Sequence, residues 1–417
     1  MLHVPRSNGK RFAFVIGWPL NRLGGVSEVV KNLLREFAQA GNPAPLLLEM
    51  CQADAAPVSF DESPVLRVDP VSPCNPNRPL RALAVFCSKL PVVLWRWRKL
   101  CREIEIDVLN PHFIGPDYLI LALLRGLGLF RGTLILSFHG SDVHRLHQTR
   151  GLERLLCKIL LRQADWLVPC SEVLAEQVRR FAPGCSHRIR TIRNGIDCDR
   201  FVRSADPAFE LPPRFAERTR IVSIGAFRRL KGHDILLRAF AQVRSANACV
   251  CLIIAGGDAA EFHNTEQLVK ALGLEDDVLL LRNLPHFRVA ALLSAADLFV
   301  LPSRRESFGL VLLEAGAFGK PVVACEVGIV SELITEGVNG WRVPVENTEL
   351  LARAIENALA DPAESARRGR NLRMRIQTSF TWRQARQQYL EIAARRAPEP
   401  QWVLREDSEQ GSDRASV

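Results

Sequence analysis

Short apolar runs alternate with stretches of helical periodicity along most of the chain. In the first half, Arg11–Gly17, Ala44–Glu49, Val108–Asn110, Leu134–Phe138, Trp166–Pro169 and Ile189–Ile192 read as strands. In the second half the same reading applies to Ile221–Ile224, Val250–Ala255, Val278–Leu281, Leu298–Leu301 and Val322–Ala324. Each run leads into a turn rich in Gly, Pro, Asn, Asp or Ser. That alternation predicts an α/β protein of parallel sheets with crossover helices. Residues 201–220 carry Pro207, Pro212 and Pro213 with little periodicity, and read as a linker between Rossmann-like domains at 1–200 and 221–378. A helix-like run from Thr381 to Ala394, within 379–396, is expected to return to the N-terminal domain. The polar stretch 397–417 is expected to be disordered. Two such domains would leave a cleft at the strand C-terminal ends, where doubly wound folds bind ligands.

Composition narrows the class. A chain of 417 residues is too long for one ordinary core, and 47% hydrophobic with 24% charged residues is the balance of a globular protein. The 11 cysteines are scattered, without a CxxC pair or zinc spacing, which favours reduced, buried thiols; Cys249 and Cys251 would share one face of a strand. The apolar residues 12–16 are too short for a signal-peptide core, and Leu119–Phe130 falls short of the ~20 residues that span a bilayer. A cytoplasmic protein is expected. The net charge of +10 calls for an anionic partner, and no RNP, zinc-finger or helix-turn-helix signature points to nucleic acid. Part of that charge lies in Arg81, Lys89, Arg96, Arg98, Lys99 and Arg102, interleaved with Trp95 and Trp97. The stretch fits an anionic membrane surface on the inner face of the membrane, or equally a solvated helix face with two packed tryptophans.

The most informative segment runs from Leu301 to Ala324. Leu298–Leu301 ends a strand, Ser303 to Gly309 is a polar loop, and Leu310 to Phe318 reads as a helix. The loop would deliver backbone N–H groups at a helix N-terminus, a seat for a diphosphate. Glu306 in the loop and Glu314 on the helix would sit at different depths of one crevice, one suited to sugar hydroxyls and the other to a ribose. The setting Pro-Ser-x-x-Glu-Ser-Phe-Gly-Leu-x-x-x-Glu-Ala resembles the family 4 retaining glycosyltransferases of GT-B fold, over roughly residues 11 to 395.

The resemblance implies two Rossmann-like domains with parallel sheets facing each other across a cleft, and a nucleoside-diphosphate sugar, UDP- or GDP-linked, as donor substrate. No cofactor and no catalytic metal are implied, so His144 and His147 are taken as surface residues. Gly24 and Gly25 resemble the family's glycine loop, facing acceptor and donor phosphates. His139 and Asp142, in Phe138-His139-Gly140-Ser141-Asp142, and Ser171 would lie on the acceptor or sugar side, with His139 beside the transferring sugar. Asn194-Gly195-Ile196-Asp197 matches an interdomain turn of structural role. Lys231, in Lys231-Gly232-His233-Asp234, would neutralise the departing diphosphate. Gly256 and Pro285 would approach the nucleotide, Ser307, Phe308, Gly309 and Leu310 would hold the diphosphate, and Glu314 the ribose. The catalytic set implied is therefore His139, Lys231 and Glu306, without a protein nucleophile.

Two positions depart from the family. Ala226 stands where an arginine is usual, with Arg228 and Arg229 as substitute cations, and Ile329 stands where a glycine is usual. The expected activity is transfer of a sugar to a glycan or lipid-linked acceptor in polysaccharide or lipopolysaccharide biosynthesis. The alternatives are a nucleotide-sugar epimerase of the same architecture, or a non-catalytic subunit that binds nucleotide sugar or a partner protein.

Overall fold

The computed structural model describes residues 9–395 apart from 23, 41–42, 52–57, 62, 71, 75–77 and 258–259, so the expected disordered tail lies outside the described residues. Two compact units emerge: Met1–Arg193 with Ala385–Val417, and Asn194–Gln384.

The first unit holds a seven-stranded sheet formed by β1 (Phe12–Ile16), β2 (Leu46–Glu49), β3 (Val58–Phe60), β4 (Ser63–Arg67), β5 (Val108–Pro111), β6 (Thr133–Phe138) and β7 (Trp166–Pro169). The strand order is β3-β4-β2-β1-β5-β6-β7, parallel throughout except that β3 runs antiparallel to β4. All five residues of β1 are buried, which accounts for its unbroken apolar run: a parallel strand covered on both faces has no polar side. The helix Gly25–Gln39 buries Val29, Val30, Leu33, Leu34 and Phe37, the stripe that 3.6-residue periodicity dictates. Phe37 meets Phe12 and Phe14 with ring centroids 4.6 and 5.4 Å away. The sheet grows outwards in both directions from the β1/β5 junction, and β1 and β5 both end there.

The second unit is a six-stranded, wholly parallel sheet of β8 (Thr219–Ile224), β9 (Val250–Gly256), β10 (Val278–Arg282), β11 (Leu298–Leu301), β12 (Val322–Cys325) and β13 (Trp341–Val343), in the order β10-β9-β8-β11-β12-β13. Its core packs Leu236, Phe240 and Leu351 against Leu252, Ile254 and Val300. The order reverses between β8 and β11, so the loops after these two strands flank a crevice at their C-terminal ends.

Several expectations change. Ile189–Ile192 is not a strand: it touches β7 through one bridge, Leu167 to Ile189, and two backbone hydrogen bonds. Strands β3, β4 and β13 escaped the pattern because they are short edge or near-edge elements with little apolar run. The stretch 201–220 is not featureless, since helices Cys198–Arg203 and Pro213–Ala216 bury Phe201 and Phe215. Cys249 and Cys251 do not share a face: Cys251 is buried within β9, whereas Cys249 precedes the strand and is exposed. Cys87 is exposed as well. The C-terminal helix Trp382–Ala394 packs on the first sheet from Ala385 onward, with Tyr389, Ile392 and Ala393 buried.

Candidate active site

In the second unit, the crevice between β8 and β11 collects most of the expected donor residues. After β8 the chain turns through Gly225 to Lys231, and Gly232 (φ +69°) opens the helix His233–Ala246. A Cβ on Gly232 would lie 2.0 Å from the Pro302 carbonyl oxygen, so glycine here lets the two loops touch. After β11, Ser303 is buried and its hydroxyl donates to Glu306 Oε1 at 3.0 Å. The same oxygen accepts from Lys231 Nζ at 2.5 Å, with the two side chains 26% and 11% exposed. Strands far apart in sequence thus bring Lys231 and Glu306 into direct contact. Gly309, at φ +96°, then starts the helix Leu310–Ala317, whose first N–H groups have no intrahelical acceptor.

The two loops are locked by a residue the sequence reading passed over. Arg304 donates to both carboxylate oxygens of Asp234 at 2.7 and 2.8 Å, and to the Arg229 carbonyl at 2.7 Å. It also pairs with Glu346, and its own N–H reaches the Leu230 carbonyl at 2.8 Å. The Arg304 guanidinium, hydrogen-bonded to Asp234, lowers that carboxyl below its ordinary value. Position alone gave no signal for it, because the first arginine of Ser303-Arg304-Arg305-Glu306 reads as surface charge.

The remaining donor positions fall as follows. Gly256 lies against the β8 turn, where a Cβ would sit 2.0 Å from the Gly225 carbonyl oxygen. Pro285 precedes the helix His286–Ala295, and His286 Nε2 lies 3.0 Å from Glu314 Oε1. Phe308 is buried, while Ser307 and Leu310 are half-buried. Arg228 and Arg229 are exposed and line a depression of about 250 Å³ with His233, Asp234, Glu261, Asn264, Thr265 and Leu268; Lys231 and Glu306 are not among its walls. Ile329 is buried, its N–H donates to the Phe308 carbonyl at 3.0 Å, and Gly328 before it (φ +58°) passes 3.0 Å from Glu306 Cβ as measured from an added Cβ. The departure at Ile329 therefore fills the core and supports the loop.

In the first unit, Gly24 at φ +154° caps the helix that begins at Gly25, with open space where a Cβ would stand. Asp142 is fully buried, and its carboxylate accepts from the N–H groups of Ile114, His139, Gly140 and Val143 at 2.6 to 3.2 Å. Burial raises its pKa against the lowering by these four bonds, and the geometry makes it the clamp of the loop carrying His139. Ser171 caps the helix Glu172–Phe181, accepting from Leu174 N–H at 3.3 Å. His139 is half-buried, and its Nε2 lies 2.9 Å from Nδ1 of His112, a buried residue that the sequence reading missed. Burial pushes the His139 pKa down to about 4 and that of His112 well below its ordinary value. His144 and His147 are exposed, and among the described residues no cluster of His, Cys, Asp or Glu could hold a metal ion.

On the helix Pro79–Glu103, Trp97 is buried and Trp95 is 59% exposed, which separates the two tryptophans that sequence had left together. Val85, Val92 and Trp95 form one exposed apolar stripe, with Lys99 Nζ 5.3 Å from the Trp95 ring centroid. No described helix is long and apolar enough to cross a membrane.

Comparison with known proteins follows the same two units. The family described as Glycosyltransferase Family 4 matches residues 23–200, and that described as Glycosyl transferases group 1 matches residues 209–375. D-inositol 3-phosphate glycosyltransferase 1 from Catenulispora acidiphila is 32% identical over 371 residues, covering 82% of this chain and 83% of that protein. Glycogen synthase from Mycobacterium tuberculosis is 32% identical over 232 residues, 54% of this chain and 52% of that protein, so the match spans about half that relative's length. Among solved structures, HepE from Anabaena in complex with UDP superposes with a TM-score of 0.69 at 19% identity, covering 91% of this chain and 98% of that one.

Proposed function

The chain belongs to the family 4 glycosyltransferases of GT-B fold, and from that premise we propose that it transfers a sugar, with retention, from a nucleoside-diphosphate sugar to a glycan or lipid-linked acceptor. The contact of Lys231 with Glu306 at the β8/β11 crevice carries the reading. A cation and a carboxylate held 2.5 Å apart beside a helix N-terminus offer complementary handles: the ammonium and the N–H groups near Gly309 for a diphosphate, the carboxylate for sugar hydroxyls. Breaking the bond between sugar and phosphate builds negative charge on the diphosphate. Lys231 and the helix terminus would stabilise that charge without a metal, and the departing phosphate would take the acceptor's proton in a front-face attack. Glu314 would grip the ribose of a UDP- or GDP-linked donor. Ala226 favours a second reading, a subunit that binds nucleotide sugar without turnover, because it removes the cation usual at that place.

The exposed stripe Val85–Val92–Trp95 with basic neighbours Lys89, Arg96 and Lys99 supports an acceptor presented at an anionic membrane surface, as in polysaccharide or lipopolysaccharide biosynthesis, by a protein peripheral to the cytoplasmic face. Co-sedimentation with anionic vesicles at low salt, weakened by Trp95→Ala, is the expected result; failure to co-sediment removes that support.

The main test is thermal shift and donor cleavage with UDP, GDP, ADP and dTDP and their sugar conjugates. One nucleotide should raise the melting temperature, by the equivalent of about 2.7 kcal/mol at a hundredfold excess over Kd. Lys231→Ala and Glu314→Ala should weaken it, and EDTA should leave it unchanged. Binding without cleavage would move the chain to the second reading, and a changed sugar nucleotide would mark an epimerase.

A further inference from the structure

Behind His139 lies a line of buried polar groups whose proton positions follow from hydrogen-bond geometry and burial together. Asn110, at 0% exposure in β5, has its Nδ2 2.9 Å from both the Ile135 carbonyl oxygen and Ser137 Oγ. A carbonyl can only accept, so Nδ2 must face it and Asn110 Oδ1 must face the other way. That oxygen lies 3.1 Å from His112 Nε2, and an amide oxygen cannot donate, so Nε2 of His112 carries a proton. His112 is 0% exposed, and burial disfavours its charged form, so its Nδ1 is a lone pair. At 2.9 Å from that lone pair, His139 Nε2 must be the donor. His139, itself neutral because burial lowers its pKa, then has no proton on Nδ1. Among the described residues no group hydrogen-bonds to that atom, and His139 keeps part of its surface open.

We propose that His112, anchored by Asn110, is a positioning residue that fixes His139 as the Nε2–H tautomer, so that the Nδ1 lone pair is the atom offered to a sugar hydroxyl. The hydroxyl as ligand rests on the proposed function; the tautomer rests on the hydrogen bonds and on the burial that keeps both rings neutral. An imidazole free to choose would split between two tautomers and would need to reset its proton before each accepting contact. The relay removes that choice, as hydrogen bonds to the far nitrogen do wherever one ring nitrogen has a set task. Its outer end is also tied down: Ser137 Oγ lies 2.9 Å from Tyr389 OH, on the C-terminal helix packed on this sheet. The phenol is buried, and burial raises its pKa, so it serves as a neutral hydrogen-bonding partner. Neighbouring carboxylate charge does not interfere, since Asp142 is occupied by four backbone N–H groups.

The test is a two-bond proton–nitrogen correlation spectrum of the full chain labelled with 15N-histidine at neutral pH, with His139→Asn to assign the His139 signals. The expected result is a neutral His139 protonated on Nε2; a proton on Nδ1, or a charged ring, overturns the proposal. In His112→Leu, His139 should average between tautomers, and cleavage of the nucleotide sugar that the wild type accepts should fall about 100-fold, mostly in kcat, as for a misplaced contact. His112→Asn, which keeps an acceptor near the lost Nδ1, should restore both the tautomer and most of the rate. An unchanged His139 tautomer in folded His112→Leu would show that the ring is set by something else and would overturn the role of His112. The wild-type spectrum needs no turnover, so a chain that cleaves no nucleotide sugar fails the proposed function while the tautomer is still decided.

Discussion

Replacing Arg304 with methionine tests whether the crevice of the second unit is held by one guanidinium. The side chain is 15% exposed, its partner Asp234 47% and Glu346 60%. Because Asp234 is half in water, its two charge-assisted bonds contribute only about 1 kcal/mol, well under the value for a buried pair. The bond to the Arg229 carbonyl contributes about 1 kcal/mol more, and the Glu346 contact little, since that carboxylate rehydrates when released. Arg304→Met should therefore cost about 2 kcal/mol, a fall of about 4–8 °C in the melting of a domain this size. Asp234→Asn and the double variant complete a cycle whose coupling should be about 1 kcal/mol. The pH dependence has a fixed sign. Arg304 holds the folded pKa of Asp234 below its ordinary 3.8, so this stabilisation is present above 3.8 and is lost as pH falls through the lower folded value. The deficit of Arg304→Met should shrink over that acid range. The same clamp carries the turn before Lys231, so affinity for the stabilising nucleotide should fall about tenfold, the cost of loosening a ligand's seat by roughly 1.4 kcal/mol. Melting within about 1 °C of wild type, with no coupling to Asp234, would refute the reasoning.

Three further outcomes are expected. Gly232→Ala places a Cβ 2.0 Å from the Pro302 carbonyl oxygen at φ +69°, so it should destabilise the second unit by about 3 kcal/mol in denaturant unfolding; retention of wild-type stability would mean that the two loops part without cost. His286→Ala removes the 3.0 Å contact on Glu314 Oε1 and should raise the donor KM about fivefold with little change in kcat. A fall in kcat alone would separate Glu314 from donor binding. Acid should weaken the first unit sooner than the second: His112 and His139 are both kept neutral by burial, against His233 alone with its pKa near 4. Unfolded histidines take up protons below their ordinary 6.5, so stability falls as pH drops beneath that value, by about 1.4 kcal/mol per pH unit per group. Hydrogen exchange measured at pH 7 and 5 should show the larger loss of protection in β5 and β6.

Local pattern determined the elements that are buried on both faces. A parallel strand such as Phe12–Ile16 must be apolar throughout, so β1, β6, β9 and β11 announce themselves wherever they are read. The loop glycines and the spacing of Glu306 from Glu314 also belong to the sequence, because left-handed backbone and a helix N-terminus are set by neighbours in the chain. The edge strands β3 and β13, and β4 next to the edge, were lost to the same logic, since half-solvated strands need no apolar run.

What tertiary structure decided is every contact between side chains far apart in the chain. Lys231 and Glu306 meet because the sheet order places β8 beside β11, and no local rule fixes that order. Arg304 becomes a clamp because Asp234 lies across the same junction. Trp95 and Trp97 differ in burial because a helix turns them to different sides. His112 gains a task from Asn110, Ser137 and Tyr389, residues on two strands and a helix at the far end of the chain. Periodicity records which side of an element faces the core; a hydrogen-bond partner is chosen by the packing of whole elements, and that choice exists only once the sheet has formed.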